Sequence, residues 1–152
     1  MEFEDVLRFI NLFVSGVSAG VLILVLIAVM PAIRSLPVAT VLRFKAKFDP
    51  LVDRLNPPFV IVAILTGVAL LFVGDPTSTQ VIFTIVGIVG SAGIAITSLT
   101  VNMRINREMA TWNPDAPPPE YEPLLARWTA VHGIRTLSGV TAFAAYLVAA
   151  LA

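Results

Sequence analysis

The chain has no cysteine and a single histidine, His132. Without thiols there is no disulfide, no thiolate nucleophile, no iron–sulfur cluster and no covalently attached c-type haem. A zinc site on one histidine would need several carboxylates at ligand spacing, and none are so placed. A di-iron bundle needs Glu-x-x-His twice, yet Thr129 stands three residues before His132. Haem ligation through His132 has no motif behind it. No metal site is therefore expected. Charge is equally scarce, at 13% of 152 residues, where soluble domains carry about 25%. Ten basic and ten acidic residues cancel, so a nucleic-acid partner has no electrostatic support.

What fills the chain instead is apolar: 57% of residues, with a mean hydropathy of +0.89. A soluble protein of this length lacks the volume to bury so much. The composition points to one integral membrane domain, an all-α four-helix bundle. The charge-free runs place spans at about 6–33, 57–74, 79–103 and 124–151, near the roughly 20 residues that cross a bilayer. The first segment begins Met-Glu-Phe-Glu-Asp, with Arg8 as its only base. It lacks the basic start of a signal peptide and reads as a retained helix.

Between the first two spans, residues 38–55 are amphipathic. Val41, Phe44, Phe48, Leu51 and Leu55 recur at helical spacing, with Arg43, Lys45, Lys47, Asp49, Asp53 and Arg54 off that stripe. Such a segment is expected to lie in the membrane interface, kinked at Pro50. Gly16 and Gly20 form a GxxxG, expected to serve packing within the bundle, with a homo-oligomer interface as the alternative. Gly74-Asp75-Pro76 reads as a turn, and Thr77, Ser78 and Thr79 as cap candidates for the next helix. Ser138, Ala142, Ala145 and Ala149 form a small-residue packing stripe on the last span. The loops after the first and third spans hold Arg34, Arg43, Lys45, Lys47, Arg54, Arg104, Arg107 and Arg127, against Arg8 alone on the other side. The positive-inside rule puts those loops in the cytoplasm and both termini outside, in a multi-pass protein of the cell membrane.

One constellation carries chemistry. Trp128, His132, Arg135 and Gly139 share a helix face at i, i+4, i+7 and i+11. Asn102 and Asn106 share another at the end of the third span, and the topology brings the two sets together at the cytoplasmic mouth. Histidine exchanges a proton near neutral pH. Arg135 is a lasting cation for an anion beside it. Asn102 and Asn106 can orient a carbonyl or hydroxyl, and Trp128 can stack on a ring. Taken singly, each also suits an anchoring or capping role. Together they are parts for deprotonating a lipophilic aromatic or enolisable compound. The alternative is a non-catalytic protein that binds lipid or quinone, or a subunit of a larger membrane complex. Ion-coupled transport has no charge inside the spans to support it.

The stretch Thr100-Val101-Asn102-Met103-Arg104-Ile105-Asn106, with Ala110-Thr111-Trp112 behind it, resembles the anthrone oxygenase-like family. So does Arg127-Trp128 through His132 to Arg135-Thr136. That family comprises small four-span membrane proteins, and the resemblance runs over essentially the whole chain. Its fungal members oxidise anthrones to anthraquinones with molecular oxygen. The resemblance marks Asn102, Asn106 and Trp128 for substrate binding and His132 and Arg135 for catalysis. It implies that His132 removes a proton from a ring carbon, that Arg135 holds the enolate, and that oxygen reacts with the anion directly, with no cofactor.

Overall fold

The computed structural model describes residues 2–152, and among them it is helical throughout, without a strand. Helix α1 (Phe3–Leu24) passes through a π turn (Val25–Val29) into α2 (Met30–Arg34). Helix α3 spans Val38–Leu70. Helix α4 (Ser78–Thr97) passes through a second π turn (Ser98–Asn102) into α5 (Met103–Met109), and α6 covers Tyr121–Leu151. These make four rods, each long and apolar enough to cross a membrane. The chain is a multi-pass membrane protein built as a four-helix bundle.

Local chemistry sets the boundaries. At Gly74 the chain turns with φ +70°, a conformation that costs glycine little. Thr77 then caps α4: its hydroxyl accepts from the Gln80 N–H, and Gln80 Oε1 accepts from the Thr77 N–H at 2.8 Å. The rods form a ring in which α1 touches α3 and α6, and α4 touches the same two, so α3 and α6 face each other diagonally. Arg8 donates to the carbonyls of Ala149 and Ala150 at 3.4 Å, which ties the start of α1 to the end of α6 and sets both termini on one side. The α4–α6 seam is close because Gly87 admits the ring of Tyr146 and Gly90 admits Ala142. Ala142, Ala145 and Ala149 are buried on α6 as their stripe implies. Of the GxxxG pair, Gly16 meets Phe143, whereas a side chain at Gly20 would meet nothing within 4 Å.

Residues 38–55 do not form a separate interfacial helix: they are the first half of α3, which runs unbroken through Pro50, Pro57 and Pro58. The reason lies in which face is inside. Val41, Lys45, Asp49, Asn56, Val60, Ala63 and Gly67 are the buried stripe of one long helix, while Phe44, Leu51, Leu55, Ile61 and Leu65 are exposed. Of the apolar stripe read from the sequence, Phe44, Leu51 and Leu55 thus face outward while Val41 faces in, and of the polar residues Lys45 and Asp49 face in while Arg43, Lys47 and Arg54 stay exposed. In lipid that orientation is favoured, since tails solvate leucine and phenylalanine but leave an ammonium or an amide unanswered. The outer surface agrees, with Phe9, Ile27, Val89 and Leu137 each more than half exposed.

The Gly87 contact gives a test. An added Cβ at Gly87 would lie 2.5 Å from the Tyr146 ring, itself 2% exposed. Gly87→Ala should therefore destabilise the bundle by about 1–3 kcal/mol through overpacking, read as a lower unfolding midpoint in detergent. Gly20→Ala should leave that midpoint unchanged.

Candidate functional site

The site begins with a backbone carbonyl. Leu22, three residues before the first π turn, presents its oxygen to α6, where His132 Nε2 lies 3.0 Å away and Thr136 Oγ1 3.3 Å away. π turns break the regular i→i+4 ladder and collect at functional sites. A carbonyl only accepts, so Nε2 carries the hydrogen and a neutral ring keeps its lone pair on Nδ1. That Nδ1 is buried and has no partner. Protonating it would add a third cation beside Lys45 and Arg135 and bury another N–H without an acceptor.

One turn earlier on α6, Trp128 stacks on the His132 ring, with centroids 5.7 Å apart and planes inclined by 20°. On the indole sits Lys45 of α3, its Nζ 3.7 Å from the ring centroid. The same Nζ is 2.9 Å from Asp49 Oδ2, an ion pair without hydrogen-bond alignment whose side chains are only 3% and 7% exposed. Asn106 of α5 donates from Nδ2 to Asp53 Oδ2 at 3.0 Å. Arg135 is buried, its Nε has no acceptor, and no carboxylate comes within ion-pair distance of it among the described residues. Trp128 Nε1, Asn106 Oδ1, Asn56 Oδ1 and both amide atoms of Asn102 are also buried without partners. Buried polar groups in folded proteins are nearly always answered, so this concentration suits water or a polar guest.

Three spaces with Asp53 in common border one another here. A small chamber of about 20 Å³ is bounded by Asp49, Asp53, Asn106, Trp128, His132 and Arg135, with Val25, Phe48 and Val52. Between α3 and α4 an apolar cleft of about 130 Å³ runs past Ile61 and Leu99, which are 54% and 63% exposed, to Asp53 and Arg135. A third space of about 360 Å³ opens beside Lys45, Asp53, Arg54, Asn106 and Arg107, where the helices are most charged. Pro57 and Pro58 lack the N–H groups that would bond the carbonyls of Asp53 and Arg54, which loosens the α3 backbone at this junction. Helical backbone with missing hydrogen bonds is tolerated at membrane depth where it lines a cavity.

All five residues singled out from the sequence are buried. Four of them, Asn106, Trp128, His132 and Arg135, line the chamber, and the fifth, Asn102, is fully buried but outside its lining. Sequence reasoning missed the α3 contribution of Lys45, Asp49, Asp53 and Asn56. Their spacing of i, i+4, i+8 and i+11 was a usable signal, continuous with Val60 and Ala63 once the helix is carried through its prolines. Among the described residues no three His, Asp or Glu side chains gather as metal ligands.

A family model described as anthrone oxygenase matches residues 48–145. That stretch includes the acids of α3 and every chamber residue of α5 and α6, while Leu22 and Lys45 lie outside it. No curated protein and no solved structure matches the chain.

The buried ion pair has a measurable consequence. Lys45→Met strands the Asp49 carboxylate, which should cost about 3–5 kcal/mol. Removing both charges in Lys45→Met/Asp49→Leu should recover most of that loss. Denaturation of the three variants in one detergent reads the difference.

Proposed function

The chain belongs to the anthrone oxygenase family, and on that premise we propose that it is a membrane-embedded oxygenase for a lipophilic anthrone- or quinone-type compound. The reaction is proton abstraction by His132 followed by attack of the resulting anion on dioxygen. The observation that carries this reading is the state of His132: Nε2 is held on the Leu22 carbonyl and Nδ1 is buried without a partner. A general base needs its lone pair free and aimed where the substrate lies.

The substrate comes from the bilayer through the cleft between α3 and α4, whose walls are apolar and whose inner end is polar. Its flat body packs against the edge of Trp128, and its oxygen meets Arg135 and the amide of Asn106, which line the chamber. Loss of a proton from a carbon between two rings spreads charge onto that oxygen as an enolate. Arg135, buried with no carboxylate within ion-pair distance, stabilises the charge in a medium that screens it poorly. Its positive charge favours the anion over the neutral ketone, and that difference is what lowers the barrier. The delocalised anion is electron-rich enough to reduce oxygen itself, so the scheme calls for neither flavin nor metal. The basic loops orient the charged mouth toward the cytoplasm.

Oxygen uptake with an added anthrone, measured above the background of spontaneous oxidation, tests the reading. His132→Gln should lower the rate by about 10²–10⁴-fold, and Arg135→Met should slow it comparably, with unfolding midpoints near that of the parent. Uptake that is the same in His132→Gln as in the parent protein would leave the chamber as a binding site without turnover.

A further inference from the structure

Only Val52, Asp53 and Arg135 line both the apolar cleft and the chamber that holds His132. A compound that reaches His132 from the cleft therefore passes between a carboxylate and a guanidinium. Asp53 also borders the charged outer space. Its Oδ2 is held by Asn106 at 3.0 Å, and its Oδ1 receives no hydrogen bond from the described residues. The carboxylate is thus fixed at one oxygen and free at the other. It stands on α3, across the bundle from the α6 histidine.

The proposed reaction, on which this inference rests, has a requirement that one base on one wall meets poorly. A ring CH₂ becoming a carbonyl gives up two hydrogens from the same carbon. His132 Nδ1 takes the first as a proton, and the electron pair left behind forms a C–O bond to dioxygen. The peroxide anion recovers the proton from His132, giving a hydroperoxide. Oxygen has then occupied one face of the ring, and the second hydrogen projects from the other. We propose that Asp53 is the second base of the site. Its carboxylate takes that hydrogen as a proton, the C–H electron pair becomes the C=O bond, and the O–O bond breaks to release hydroxide. Hydroxide recovers the proton from Asp53 as water, and the carboxylate is restored. Substrate CH₂ and one O₂ give C=O and one H₂O; the carbon is oxidised and oxygen is reduced. The water leaves by the charged outer space that Asp53 borders.

Rapid quenching with mass spectrometry, run beside an oxygen electrode, tests this with Asp53→Asn and Asp53→Glu. An asparagine can still accept from Asn106 but cannot take a proton. Asp53→Asn should consume oxygen yet form quinone about a hundredfold more slowly, so a hydroperoxide or its alcohol accumulates. Asp53→Glu should restore one quinone per oxygen. An Asp53→Asn protein that keeps that ratio overturns the proposal and leaves the His132 reading intact. Equal loss of oxygen uptake in both variants also overturns it, because Asp53 would then act before oxygen adds or only in folding. A parent protein that consumes no oxygen with any anthrone removes the underlying reading, and this proposal with it.

Discussion

A polar group inside a bilayer has no water to turn to, and that constraint orders this structure. Every amide, hydroxyl and charge within the spans must find a partner in the bundle or a guest in a cavity. Half of the bundle meets the demand with protein alone. Near the termini, Asn11 donates to the Ala63 carbonyl and to Thr66 Oγ1, and Tyr146 donates to that same Ala63 carbonyl at 3.3 Å. Around the chamber the demand is left partly unmet, at His132, Arg135, Asn56, Asn102 and Asn106. The contrast between a satisfied half and an unsatisfied half is what supports placing the proposed site there.

Backbone irregularity serves the same end. Both π turns and the three prolines of α3 fall in the chamber's half of the spans or toward its water boundary. The first π turn follows the carbonyl that pins His132, and the second ends at Asn102. A regular helix offers few free carbonyls to a neighbour. Here a side chain on α6 borrows one from α1, and that single contact decides which nitrogen of the ring is free. Trp128 and Lys45 then stack behind the ring and fix its tilt.

The four-helix architecture was legible because it rests on long charge-free runs, which depend on composition alone. The turn at Gly74 and the cap at Thr77 were legible because their chemistry is local. His132, Arg135, Trp128 and Asn106 were legible as a cluster because each shares a helix face with a neighbour in the sequence. The α3 half of the site was not, for a definite reason. Phe44, Leu51 and Leu55 read as the apolar face of a separate interfacial helix, which leaves Lys45, Asp49 and Asp53 on its wet face; in one spanning helix lipid takes the apolar face and those charges turn into the bundle. Pro50 and Pro57 reinforced the error by suggesting a break where the helix continues. The Leu22 carbonyl could not have been found, since no side chain marks a backbone oxygen that a distant helix will use.

The proposed chemistry depends most on one tautomer, and the chain's single histidine makes it directly observable. Nitrogen-15 NMR of protein labelled only at histidine, in bilayers near neutral pH, reports the protonation of each ring nitrogen. The structure predicts one neutral imidazole with hydrogen on Nε2 and a bare Nδ1, and addition of a substrate analogue should perturb Nδ1 more than Nε2. Hydrogen on Nδ1, or rapid averaging of both nitrogens with water, would contradict it.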